Sequence, residues 1–194
     1  MHDRVIIDTD LWESCKQGNR QAYGAIYKIF YPRLYVYGLK FTSDPIVVED
    51  CIQEIFTSFW FNREKLPAVK SLQPYLFVSF RNRLFKDLQR NNQPSTRTSD
   101  PDGYTFHLQV SADQLMIDAE KLYEESICLR EAIDRLTARQ KEAVYLKFYF
   151  NLTYEEISAM LGISVKSTYK LFGRAVEELR RTYQKKMTSL CMRL

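Results

Sequence analysis

Apolar residues recur at helical spacing along most of this chain, and the alternating pattern of a half-buried strand is nearly absent. A first helix is expected over about 11–17, ended by Gly18-Asn19, and a second from about Arg20 into Tyr31. Pro32 falls inside an aromatic-rich stretch and predicts a kink or restart there, with helix continuing to about Phe41. Asp44 as cap and Pro45 at the first helical position open a third helix over about 46–61. Its apolar stripe is Val48, Ile52, Ile55, Phe56, Phe59 and Trp60; Glu49, Asp50, Gln53, Glu54 and Thr57 lie opposite. A loop over 62–73 precedes a helix opened by Pro74 and running over about 75–90, with Leu76 or Phe77, Phe80, Leu84 and Leu88 inward.

The most informative stretch lies near the C-terminus. Thr153 and Glu156 have the spacing of a capping box, and Gly162 stops the short helix that follows, since a sharp turn favours positive φ. Ile163 plugs the turn and Ser164 caps the next helix. Leu171, Phe172, Ala175 and Leu179 face inward, and Ser158 is small where two helices would cross. Lys166, Ser167, Lys170 and Arg174 remain outward near the front of the second helix. This is the face a recognition helix offers to the major groove. A plain helical hairpin with a solvated basic face is the alternative; turn spacing, small crossing residue and basic front favour DNA binding.

Between about 91 and 113 the pattern breaks. Pro94, Pro101, Gly103 and many polar residues read as a linker. Charge is segregated around it. Leu76–Arg97 holds five bases against Asp87, Thr98–Glu125 holds seven acids against Lys121, and Lys166–Lys186 holds seven bases against Glu177 and Glu178. Two phosphate-facing modules separated by a non-binding segment would carry such a pattern. The fold class is therefore all-α: two small helical domains joined by a flexible linker, the C-terminal one a helix-turn-helix. The divisions fall at 1–92, 93–114 and 115–194, with a long helix to about Leu136, another over about 139–150, and a frayed tail over 187–194.

The 194 residues carry a net charge of +4, which alone decides little. No apolar run reaches the roughly 20 residues of a membrane span, and the first residues lack a signal-peptide core, so a soluble cytoplasmic protein without membrane insertion is expected. Cys15, Cys51, Cys128 and Cys191 are scattered and the two histidines lie far from them, so they read as packing residues and neither a metal site nor a disulfide framework is expected. No glycine-rich phosphate loop or nucleophile–base set stands out. The reading is a non-enzyme without cofactors.

Two motifs carry a resemblance. LTARQKEAVYLKFYFNLTYEEISAMLGISVKS resembles the fourth conserved region of bacterial sigma factors, the promoter-recognition subunits of RNA polymerase. DCIQEIFTSFW (50–60) resembles their second region, and PYLFVSFRNRLFKDLQR (74–90) the DNA-melting helix that follows it. The small size, without first and third regions, is similar to the extracytoplasmic-function branch. The resemblance implies that Asp50, Gln53 and Glu54 dock the clamp helices of the polymerase largest subunit, and that Asn82, Arg83, Lys86 and Arg90 face the minus-ten element of promoter DNA. Lys166, Ser167 and Lys170 would read the minus-thirty-five element, while Arg174, Arg139 and the helix start at Thr153 would hold phosphates. The loop over 62–73 matches the family's base-capturing loop. Phe77 and Phe80, at helical spacing, are assigned to the core.

The sequence departs from many relatives at Tyr169 and Leu171, where those carry bases. Tyr169 would either meet a thymine methyl in the groove or pack on its own module. The acidic linker would either thread into the polymerase or serve as a solubilising tether. Many relatives are held compact by an anti-sigma partner, often membrane-tethered, and the same partner class is expected here. The competing function is a stand-alone helix-turn-helix regulator that binds duplex DNA without polymerase.

Overall fold

The computed structural model describes residues 9–65, 71–90, 103–108 and 119–191. Every regular element among them is helical: α1 (Thr9–Lys16), α2 (Arg20–Gly38), α3 (Pro45–Phe61), a 3-10 turn (Arg63–Lys65), α4 (Leu72–Arg90), α5 (Ala119–Asp134), α6 (Ala138–Phe148), α7 (Tyr154–Leu161) and α8 (Val165–Cys191). The caps explain most boundaries. The Asn19 side chain accepts from the backbone N–H of Gln21 and Ala22 and starts α2. Asp44 caps α3 with Pro45 behind it, and Thr137 with Gln140 forms a capping box on α6.

Three boundaries differ from the sequence pattern. α2 runs without interruption through Pro32. An interior proline costs on the order of 3 kcal/mol; here Phe30 and Leu34 on either side are fully buried, and packing on both flanks holds the helix together. α4 starts two residues before Pro74, because Leu72 and Gln73 are themselves buried. α8 continues to Cys191, past the position where fraying was expected.

The N-terminal lobe, α1–α4, is built on aromatic rings. Trp12 stacks on Phe59 at 5.2 Å between centroids, and Tyr23 leans on Phe56, Phe59 and Trp60. Phe77 and Phe80 are fully buried, as their spacing predicted. At Gly38 the helices approach closely: a β-carbon there would lie 2.6 Å from Val48 and 2.8 Å from Phe80. In the C-terminal lobe α5 lies along α8, and α6 and α7 pack on α8 as well. Leu136, Val144 and Ala175 form a small core of their own, with Phe172 and Leu179 against it.

The lobes are not separate in this structure. α7 packs on α4, and one continuous core runs from Trp12 to Leu161. Phe150 lies against Phe77 at 4.7 Å and beneath the Arg33 guanidinium at 5.5 Å. Residues 103–108, inside the segment expected to be a flexible tether, are laid into the seam. Tyr104 and Phe106 are buried, Phe106 meets Phe41 at 5.0 Å and Tyr145 at 5.6 Å, and the His107 N–H donates to the Lys40 carbonyl at 2.7 Å. Two aromatic rings in a polar stretch have more to gain from burial than from water, which fixes this strap. The rest of the expected linker, 93–102 and 109–114, lies outside the described residues.

Candidate nucleic-acid interface

The helix-turn-helix forms from local chemistry. The Thr153 side chain accepts from the Glu156 N–H at 3.2 Å, and the Glu156 carboxylate accepts from the Thr153 N–H at 2.8 Å. Gly162 takes the left-handed conformation, φ 63°, and its N–H returns to the Ser158 carbonyl. The Ser164 hydroxyl accepts from the Ser167 N–H at 3.1 Å and starts α8. Thr168 and Ala175 are fully buried and define its inner face. Lys166, Ser167, Lys170 and Arg174 are all exposed on the opposite side. The first three turns of α8 thus present three cations to solvent, with no ion pair to them among the described residues. Ser167 is exposed, but its hydroxyl lies 2.8 Å from that of Ser164 and shares in the cap.

The two positions expected to hold phosphates also have internal partners. The Arg139 guanidinium donates to the Leu161 carbonyl at 3.3 Å and ties α6 to the end of α7. The Thr153 hydroxyl is used by the capping box, and Glu155 and Glu156 occupy the first turn of α7. Two carboxylates there oppose the attraction that a helix start otherwise has for phosphate. Tyr169 packs on its own module, its ring 4.2 Å from that of Tyr154, and stays 52% exposed beside Lys166 and Lys170. Lys147 lies over the Tyr154 ring at 4.8 Å and Phe172 meets it edge-on, so the rim of the recognition face is aromatic.

On the N-terminal lobe, Asp50, Gln53 and Glu54 are exposed on α3, and Asn82, Lys86 and Arg90 are exposed on α4 at spacings of four residues. Arg83 departs from the expected grouping. It pairs with Glu54 of α3 and, through Nε at 2.8 Å, with Asp87. One residue assigned to DNA and one assigned to polymerase are therefore bonded to each other. The hydrogen bond to Asp87 holds the Arg83 guanidinium above its ordinary range. For the Asp87 carboxyl, burial works upward, but Arg83 and the Cys51 thiol outweigh it and hold it low. Cys51 donates to Asp87 at 3.4 Å; burial pushes its thiol up to about 12, and that of Cys15 up to about 11. A groove of about 300 Å³ opens between α3 and α4, lined by Ile55, Ser58, Asn62, Tyr75, Ser79 and Arg83; residues 66–70 of the loop expected over 62–73 lie outside the described residues.

The sequence reading missed one cluster entirely. Glu142 of α6 is fully buried in the seam between the lobes. Its carboxylate accepts from Tyr37 Oη at 2.5 Å, Tyr104 Oη at 2.5 Å, and Arg81 Nε and Nη2 at 2.7 and 3.2 Å. Burial, then the neighbouring carboxylate, raises the Tyr37 and Tyr104 hydroxyls well above the ordinary tyrosine range. Burial pulls on Arg81 in the opposite sense, and Glu142 more than offsets it. A hint was present: Glu142 shares a stripe with Ala138 and Tyr145, and a carboxylate on an apolar stripe needs a partner.

Comparison with known proteins gives this geometry a context. Residues 126–179 match the family model "Sigma-70, region 4". The chain is 24% identical over 160 residues to the extracytoplasmic-function (ECF) RNA polymerase sigma factor RpoE of Cereibacter sphaeroides, covering 82% of this chain and 84% of that one. It is 23% identical over 160 residues to the ECF sigma factor SigM of Bacillus subtilis, covering 82% and 94%. Among solved structures, CnrH in complex with the cytosolic domain of CnrY superposes with a TM-score of 0.58 at 19% identity, over 92% of this chain and 97% of that one. RpoE of Bartonella quintana, in complex with the anti-sigma factor NepR, gives 0.58 at 18%, over 84% and 98%. No helix among the described residues is long and apolar enough to cross a membrane. The described residues share the helical fold of these two solved structures, residues 126–179 are similar to sigma-70 region 4 over the helix-turn-helix, and about four-fifths of the chain is similar to extracytoplasmic-function sigma factors.

Proposed function

We propose that this chain directs RNA polymerase to promoters: it joins the core enzyme, reads an upstream duplex element through α8, and assists strand opening through α4. The observation that carries this is the exposed face of α8, where Lys166, Lys170 and Arg174 stand clear on a helix fixed by a left-handed glycine turn. Such a face supplies phosphate neutralisation and base-edge contacts together. Residues 1–92 and 115–194 act as the two DNA-facing modules. Asp50 and Gln53 offer the polymerase a polar surface, with Glu54 shared with Arg83. Asn82, Lys86 and Arg90 line one edge of α4 toward the separated strand, and the groove beside Asn62 and Tyr75 suits an unstacked base.

One superposed structure is a complex with the anti-sigma factor NepR, and the other holds the cytosolic domain of CnrY. A regulator of that class, membrane-tethered or not, is the partner we propose for the free chain. The deciding experiment is run-off transcription with purified core polymerase and a genomic template pool. Transcripts that start at defined sites only when this protein is added are expected. Sequence-specific duplex binding without polymerase, and no transcripts with it, would instead identify a stand-alone regulator.

A further inference from the structure

The seam that joins the lobes conflicts with the task just proposed, and the inference below rests on that reading. Elements named minus-ten and minus-thirty-five lie roughly 25 base pairs apart, which at ~3.4 Å per step is about 85 Å of duplex. A compact chain of this length has a radius of gyration of only ~16 Å, hence a diameter of roughly 40 Å. The closed body is too short to hold both elements. To work at a promoter, the lobes must part.

What keeps them together is specific. Glu142 comes from the C-terminal lobe, Tyr37 and Arg81 from the N-terminal lobe, and Tyr104 from the strap between them. All four described segments that meet at the seam contribute to one carboxylate, and every hydrogen bond to it crosses a boundary that opening would break. Burying a charge is costly unless its partners surround it. The bidentate Arg81 fork and two short phenolic hydrogen bonds meet that condition here. Partial opening would strand Arg81 or Glu142 without a counter-charge in a dry seam, whereas full opening returns both to water. The arrangement therefore favours two states, shut or fully apart, with little between.

We propose that the closed arrangement is an autoinhibited state latched by Glu142, which sits as a bolt in a socket made by Tyr37, Arg81 and Tyr104, and that withdrawal of this carboxylate is the step that frees the lobes for the two DNA elements. The strap is part of the device. Tyr104 bonds the bolt, Phe106 wedges between Phe41 and Tyr145, and the backbone of His107 is pinned to Lys40. A polymerase surface or any protein that draws on residues 103–108 pulls the latch directly.

The test uses the full chain. Small-angle scattering of the wild type should give a radius of gyration near ~16 Å. Glu142→Gln keeps the shape and leaves Arg81 buried without a counter-charge, so the open fraction should rise ~100-fold or more and the radius should grow. Circular dichroism reports whether helix is retained. If Glu142→Gln loses helix, two further variants decide: Tyr104→Phe, which alters only the strap, should open the chain more modestly, and Glu142→Gln with Arg81→Met, which removes the stranded charge, should close it again. A radius unchanged from wild type in Glu142→Gln and in Tyr104→Phe overturns the latch. Opened variants should also reach half-maximal run-off transcription at a several-fold lower concentration; expansion without that gain overturns the autoinhibitory role. If neither wild type nor variants direct any transcript, the proposed function has failed, and the scattering result still judges the latch on its own.

Discussion

Helices α4 and α8 are both basic on paper and differ in how they spend their charge. On α4, Arg81 points into the seam to hold Glu142, and Arg83 is held by Glu54 and Asp87. Only Lys86 and Arg90 remain exposed. On α8, Lys166, Lys170 and Arg174 all face solvent. A count of bases along a sequence therefore overstates the DNA-facing charge of the first helix more than that of the second, whose three forward cations are clear while Arg181 further along pairs with Glu178. The reason is position: α4 is packed between two lobes and meets acids from α3 and α6, whereas α8 has one face on its own lobe and the other in water.

The sharpest way to test that contrast is Arg81→Ala. It leaves Glu142 buried without its counter-charge and should lower the unfolding free energy by about 3–5 kcal/mol, measured by urea titration. Lys170→Ala on the other helix should leave unfolding unchanged within about 0.5 kcal/mol. Equal losses in the two variants would erase the distinction. Lys170→Ala should instead cost ~1–3 kcal/mol in promoter binding if it reads a base. Gel-shift titrations against a panel of upstream sequences check this, and a uniform loss over all of them would reduce Lys170 to a phosphate contact.

The seam should also answer to alkali. Tyr37 and Tyr104 hold their protons to higher pH when folded, through burial and then Glu142. Their stabilising contribution is complete below the unfolded tyrosine value near ~10 and declines as pH rises beyond it, by up to about 1.4 kcal/mol per pH unit for each ring. Scattering or thermal melts between pH 8 and about 11 would show it. A Tyr37→Phe, Tyr104→Phe double variant should lose that dependence, and persistence of the same slope would assign it elsewhere. The smallest effect is expected from Arg83→Ala. Its pairs are partly exposed, so stability should change by only ~0.2–1 kcal/mol. Release of Glu54 should be visible in polymerase pull-downs as a modest gain or loss; no change at all would place Glu54 outside the docking face.

What could be read from the sequence was what is local. The helix-turn-helix depends on a capping box three residues wide, a glycine and a serine cap, and each sits where its spacing predicted. The stripes of α3 and α4 follow the same logic, down to the burial of Phe77 and Phe80. The Glu142 cluster is different in kind, because its partners are 38, 61 and 105 residues away. No periodicity links such positions. Tyr104 and Phe106 were disguised by acidic and polar neighbours, whose composition signalled a tether while two rings carried the packing. Pro32 misled for the converse reason: its local preference was outweighed by burial on both sides. Arg83 and Arg139 each also have an acceptor within the fold that residue type alone does not reveal.

The buried thiols of Cys15 and Cys51 carry a consequence for how the chain can be informed of its surroundings. With values near 11 and 12, both remain protonated across the cellular pH range, and a thiol without its anion is a poor nucleophile toward peroxide or disulfide. Oxidative stress has no chemical handle on either residue while the N-terminal lobe is folded. If such a stress governs this protein, the sensing atom lies elsewhere than at these two thiols.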